Sequence, residues 1–346
     1  MRFTREDIER REHAVLSPLA AYADCSQGRE RDEELDPYRT CYQRDRDRIL
    51  HCKSFRRLSH KTQVFIAAEG DHYRTRLTHT LEVSQISRTV ARSLGLSEDL
   101  TEAIALGHDL GHTPFGHTGE SALQASLARR LGIAPGTPEA EALFRHNEQS
   151  RRVVEYIEDE GRGLNLTLEV RDGIECHTGD RKAMTLEGRI VSICDRIAYV
   201  NHDIDDAVRG GIIKEAQLPA TTHKLLGDTR SERIATLVRD LVAYSEERDD
   251  IVMSPHMWDA MMELREFLFH NVYTASDAKG EDPKAFDLVC ALFDHYVDHP
   301  EQIPDEYLRI AKGDALRAAT DYVACMTDRY ALDAFAGLFI PRRWPR

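Results

Sequence analysis

The chain has 346 residues, of which 41% are hydrophobic and 31% charged, and its net charge is −14. That balance predicts a soluble globular protein and disfavours nucleic acid, single-stranded DNA included, as its main partner, although a local basic patch stays compatible with it. No apolar run reaches membrane-span length, "MRFTREDIERREHAVLSPLA" lacks the apolar core of a signal peptide, and seven scattered cysteines without a CxxC pair predict free thiols in a reducing cytoplasm.

Residues 18–37 are polar and turn-rich and predict a loop. Residues 39–63 turn basic, with Ile49, Phe55 and Leu58 as a short apolar stripe. "KTQVFIAA" at 61–68 is the best strand candidate, at most a short hairpin arm. Over 78–95, Leu81, Val83, Ile86, Val90 and Leu94 mark an amphipathic helix. Ser97 is placed to cap the next helix, whose Leu100, Ala103, Ile104 and Leu106 run up to His108. "GIAPGTPEAE" predicts a loop, and residues 147–160 and 186–207 again step by three and four. The final third repeats that texture in "MWDAMMELREFLFHNVY", "AFDLVCALFDHYV" and "ALRAATDYVACMTDRYALDAFAGLF". The expected fold is all-α in one chain, with a C-terminal helical lobe.

One stretch does not read as packing. "GHDLGHTPFGHTGE", residues 107–120, crowds three histidines, an aspartate and a glutamate among glycines and a proline. His108 and Asp109 close a helix, where adjacent side chains can lean towards one ion, and imidazole with carboxylate suits a divalent cation. Two more ligands are expected from other helices. His79 lies near the apolar face of its helix, and Asp195 stands among Ile190, Val191, Ile193, Ile197 and Ala198. A carboxylate in such surroundings needs a partner. Taken singly, each of these is better read as a packed histidine or an aspartate paired with arginine.

Taken together, H, then HD, then D, each on a predicted helix, resemble the HD superfamily of metal-dependent phosphohydrolases. The blocks "QRDRDRILHCKSFRRLSHKTQVF", "TRLTHTLEVSQISRTVARSLGL", "LTEAIALGHDLGHTPFGHTGE", "FRHNEQSRRVVE", "DRIAYVNHDIDDA" and "DYVACMTDRYALDAF" narrow the resemblance to its deoxyguanosine-triphosphate triphosphohydrolase branch, from about residue 38 to about 335. The resemblance implies a helical HD core over about 60–210 and a C-terminal helical region over about 211–346. It implies metal ligands at His79, His108, Asp109 and Asp195, and hydrolysis of a deoxynucleoside triphosphate to deoxynucleoside and tripolyphosphate. It makes His117 the catalytic acid and Glu120 its orienting partner, since Pro114 and Gly116 break the helix and let the histidine turn back. Arg76 matches a phosphate-contacting arginine, His112 is expected on phosphate, and His146 resembles a second active-site histidine. Tyr199 is expected to line the nucleotide site, Asp203 to support sugar or phosphate contacts, and Gln63 to read the sugar hydroxyl.

Two histidines and two carboxylates suit one Mn²⁺, Mg²⁺, Fe²⁺, Ni²⁺ or Co²⁺ per site. A basic segment (Arg44, Arg46, Arg48, Lys53, Arg56, Arg57, Lys61, then Arg74 and Arg76) could face a triphosphate, although for most of these residues pairing with the protein's own carboxylates is the better reading. By resemblance the chain forms a homo-oligomer, hexamer or tetramer, with a dNTP activator at subunit contacts. The rival readings are an HD phosphohydrolase of another nucleotide and a nucleotide-sensing or single-stranded-DNA-binding protein on the same fold. The intact ligand set and His117 speak against the last.

Overall fold

The computed structural model describes residues 3–63, 74–273 and 280–341. It is helical throughout, with no strand among the described residues and one isolated antiparallel bridge, Thr62 with Thr75. That bridge is what the described residues retain of the expected hairpin arm; residues 64–68 of it lie outside them. The chain divides into two compact units, each assembled from separated segments.

The first unit comprises residues 1–51, 78–108 and 165–279. At its centre lies the helix Glu98–Gly107, begun by Ser97, whose hydroxyl accepts from the Leu100 N–H as expected. From Ala103 to Gly107 its sequence is apolar on every face, so helices pack around it: Cys41–His51, Leu168–Glu175 and Leu186–Arg209 all bury residues against it. Leu186–Arg209 in turn packs on Arg230–Ser245 and Pro255–Leu268. On the helix Arg76–Ser93, Val83, Ile86 and Val90 are buried, but Leu81 is 49% exposed. Two residues span about 200° of a helix, so Leu81 could not share a face with Val83. Arg44, Arg46 and Arg48 pair with the chain's own Glu33, Asp47, Asp99 and Glu102, as a solvated charged helix does.

The second unit comprises residues 52–77, 109–164 and 280–346. Gly116–Leu131 packs along Asp282–Asp298, which also carries Ala315–Ala324 and Asp328–Phe339. Two expectations are corrected here. "GIAPGTPEAE" contains a helical turn, Pro138–Glu141, capped by the Thr137 hydroxyl. The helix expected over 147–160 is regular only as His146–Arg152, then widens into a π turn, Val153–Ile157. Asp159, Glu160 and Gly161 follow with positive φ and fold the chain back, so that Leu164 N–H reaches the Val154 carbonyl at 2.7 Å. The apolar spacing persisted because Val153, Val154 and Ile157 are buried, whatever the winding between them.

Three devices in this unit shape the stretch after His108. Lys61 is buried and its ammonium donates to the carbonyls of His112 and Ala324. Burial pushes its pKa down to about 8. Asp328 accepts from the Thr62 N–H at 2.8 Å, from the Thr62 hydroxyl, and from the Phe115 N–H at 2.9 Å. Phe115 has φ +60, uncommon for so large a residue, and Gly116 follows at φ +59. Finally, a Cβ on Gly111 would lie 2.1 Å from the Ser150 nitrogen and 2.7 Å from the His146 carbonyl oxygen. Only glycine lets these two backbones meet. Gly111→Ala is therefore expected to destabilise the protein by about 1–3 kcal/mol or more, read as a lower thermal midpoint; an unchanged midpoint would show that the two segments separate freely.

Candidate active site

In the first unit, three helices deliver His79, His108 and Asp195. His79 stands one turn into Arg76–Ser93, His108 is the residue that caps Glu98–Gly107, and Asp195 lies midway along Leu186–Arg209. Both histidines are buried. His79 Nε2 is 3.0 Å and His108 Nε2 3.8 Å from Asp195 Oδ1, and the two imidazole rings meet edge-on at 5.6 Å. Burial alone would raise the Asp195 carboxyl, but the hydrogen bond with His79 and the neighbouring His108, His79 and His177 hold it well below the usual carboxylate range.

His108 Nδ1 lies 2.7 Å from the Ala105 carbonyl oxygen, so Nδ1 must donate, and whenever the ring is neutral Nε2 carries the lone pair. That is the tautomer of a metal-bound imidazole held by an outer carbonyl. His177 repeats it, with Nδ1 2.7 Å from the Ile174 carbonyl oxygen and its ring 4.9 Å from that of His108. Ligand atoms of His108, His177 and Asp195 lie within 4.8 Å of one another. The donors therefore fit a divalent cation. His177 was missed in the sequence; like His108 it stands at the end of a helix, three residues after the carbonyl that orients it, here just beyond Leu168–Glu175. His202, also missed, is buried, with Nε2 2.7 Å from Glu82 and its ring 6.0 Å from that of His79.

Tyr199 and Asp203 follow Asp195 along its helix at steps of four. Tyr199 is half-buried, and burial pushes its phenol up to about 12. Asp203 is buried and accepts a hydrogen bond from the Tyr273 hydroxyl.

In the second unit, Asp109, next in the chain after His108, is buried and accepts from Arg76 Nη1 at 2.7 Å. The arginine expected on phosphate thus holds a carboxylate. Gln63 is half-buried; its main-chain carbonyl would be 3.6 Å and Arg76 Nη2 3.2 Å from a Cβ at Gly116, so both border the start of the helix Gly116–Leu131.

Glu120 is the hub of this second group. Its carboxylate is 3.2 Å from His117 Nδ1 and 3.1 Å from His146 Nδ1, and accepts from the His146 main-chain N–H at 2.9 Å. Burial would raise its pKa, but His146, His117 and His112 hold it well below the usual range. His146 shows the converse: burial opposes its protonation, and Glu120 prevails and raises it. The His112 ring stacks on His146 at 4.4 Å and meets His117 edge-on at 5.2 Å. Burial, with the Arg76 charge beside it, holds the His112 pKa well below the usual imidazole value. His117 differs from its neighbours in exposing 79% of its side chain.

Within the second unit, then, the expected residues Arg76, Asp109, His112, His117, Glu120 and His146 form one connected group. Within the first, His79, His108 and Asp195 form another, with Tyr199 and Asp203 further along the Asp195 helix.

The HD domain family matches residues 76–200 and a phosphohydrolase-associated domain matches residues 251–337. The chain is similar to a deoxyguanosinetriphosphate triphosphohydrolase-like protein of Caldanaerobacter subterraneus subsp. tengcongensis, 52% identical over 98% of this chain and 97% of that one. Proteins of the same description from Clostridium perfringens and Desulfatibacillum aliphaticivorans are 48% and 44% identical, over 98% and 97% of this chain and 98% of each of theirs.

Proposed function

The chain belongs to the HD-domain family of deoxyguanosinetriphosphate triphosphohydrolase-like proteins, and we propose that it hydrolyses deoxynucleoside triphosphates to deoxynucleoside and inorganic tripolyphosphate. Membership makes it a phosphohydrolase of nucleotides. The observation that carries the finer reading is the exposed His117 with its Nδ1 held 3.2 Å from the buried Glu120 carboxylate.

A divalent cation on His79, His108, Asp109 and Asp195 would supply Lewis-acid polarisation of the α-phosphate and a water of lowered pKa. The protein's own groups do the rest. Cleavage between the α-phosphorus and the 5′-oxygen leaves an alkoxide, a poor leaving group that needs a proton. With Nδ1 turned to Glu120, His117 presents Nε2–H outward to protonate the 5′-oxygen. Glu120, ionised, fixes that orientation. Arg76 and His146 add positive charge, and His112 a hydrogen-bond donor, for the phosphates. Tyr199, Asp203 and Gln63 are assigned to the deoxyribose and its surroundings. The native metal is one of Mn²⁺, Mg²⁺, Fe²⁺, Ni²⁺ and Co²⁺, and the working form a homo-oligomer with a dNTP activator.

Chromatography of the products from each of the four dNTPs, with metals varied, tests the reaction. Deoxynucleoside and tripolyphosphate are expected together. Pyrophosphate or orthophosphate as the first product would overturn the reading, because only cleavage at the 5′-oxygen leaves three phosphates joined. A pocket closed around the deoxyribose should also reject a 2′-hydroxyl, so kcat/KM for GTP is expected at least about tenfold below that for dGTP. Equal values would remove Tyr199 and Gln63 from the sugar site.

A further inference from the structure

We propose that His112, His117, Glu120 and His146 form a second cation site, selective for a borderline ion such as Zn²⁺, which when filled takes His117 out of proton transfer. One ligand atom from each of the four lies within 4.8 Å of the others. Three imidazoles and one carboxylate are a four-coordinate zinc donor set, softer than the histidine and carboxylate pairs assigned to the first ion.

The second observation is His112. Its side chain is buried, and no described residue hydrogen-bonds its Nδ1. A buried nitrogen without a partner is costly in a packed interior and asks for something to bind it. The His112 ring lies against both other imidazoles of the group, 4.4 Å from His146 and 5.2 Å from His117. A cation bound there would take the contacts that Glu120 now makes with His117 and His146.

Two features oppose a cation and neither is decisive. His117 and His146 sit in the first turns of their helices, where the backbone carries partial positive charge. The full negative charge of Glu120 faces them, joined to both rings. Arg76 is near, but its charge is paired with Asp109 at 2.7 Å. His117, with 79% of its side chain exposed, can adjust to the ion while His112 and Glu120 stay fixed by burial.

Zinc binding itself does not depend on the proposed reaction; the loss of turnover rests on that reading, with His117 as its acid. Full-length protein is loaded with Mn²⁺ and titrated with Zn²⁺, with Mn²⁺ followed by electron paramagnetic resonance and zinc by competition with a chromophoric chelator. One zinc per chain is expected to bind without release of manganese. Turnover is expected to fall at least tenfold and to return when the zinc is chelated. His112→Ala with His146→Ala is expected to lose this zinc while keeping its manganese, and circular dichroism checks that the variant is folded. In a second arm, His79→Ala with Asp195→Ala is expected still to bind one zinc. Zinc that binds only by displacing manganese, or that persists in the His112→Ala, His146→Ala protein, overturns the site. If zinc binds beside manganese and turnover is unchanged, the site stands and the acid role of His117 falls. If no zinc binds beside manganese while His117→Ala is inactive, the site falls and the reaction stands.

Discussion

His117→Ala is expected to lower kcat by about 10²–10⁴-fold, the usual worth of a positioned general acid, while metal content and dNTP binding stay at the wild-type level. The side chain is mostly exposed and touches Glu120, His112 and His146, so its removal leaves no cavity in a packed core. A fall in kcat is then a chemical effect. Glu120→Gln should act in the same direction, with a second consequence. Glu120 is buried and holds His146 as well as His117, and an amide cannot serve as an anionic partner to both. Metal content of the purified variants and single-turnover rates decide the case. Loss of the first metal in His117→Ala would make His117 one of that ion's ligands, and wild-type kcat would make it a bystander.

Asp195→Ala is expected to abolish turnover by removing the first metal. Asp195 is the carboxylate on which both His79 and His108 converge within the first unit. Its loss should weaken metal binding by more than the about 10–100-fold that follows loss of an outer partner. Helical content should hold, because Ile190, Val191, Cys194, Ile197 and Ala198 keep their packing on the same helix. Metal per chain by elemental analysis and far-ultraviolet circular dichroism separate the possibilities. Undiminished metal in a folded variant would leave Asp195 as a plain partner of His79 and remove it from the ligand set.

Much of this was legible because the helices are amphipathic and their ends carry polar caps. Ser97 could be placed at a helix start from its position before Leu100 and Ala103, and the closing of that helix at His108 followed from the glycines beyond it. What was not legible depended on side chains far apart in sequence. Nothing local to Lys61 announces that its ammonium joins the carbonyls of His112 and Ala324, and a run of basic residues looks the same whether solvated or buried. The π turn at Val153–Ile157 was hidden because burial sets the apolar spacing, and winding adjusts to it. His146 was expected at the site, but that one glutamate would hold both it and His117 could not be read from residues 26 positions apart.

The order of the segments bears on how the molecule is made. The first unit draws on residues 1–51, 78–108 and 165–279, and the second on 52–77, 109–164 and 280–346. A ribosome delivering the chain from its N-terminus finishes neither unit early: the first waits for its last segment, and the second for the end of the chain. Pairings between segments so distant form slowly, and half-made units expose apolar surface meanwhile. A chain interrupted near residue 280 would still carry His79, His108, Asp109 and Asp195, yet lack Asp282–Asp298, the helix on which Gly116–Leu131, bearing His117 and Glu120, is packed.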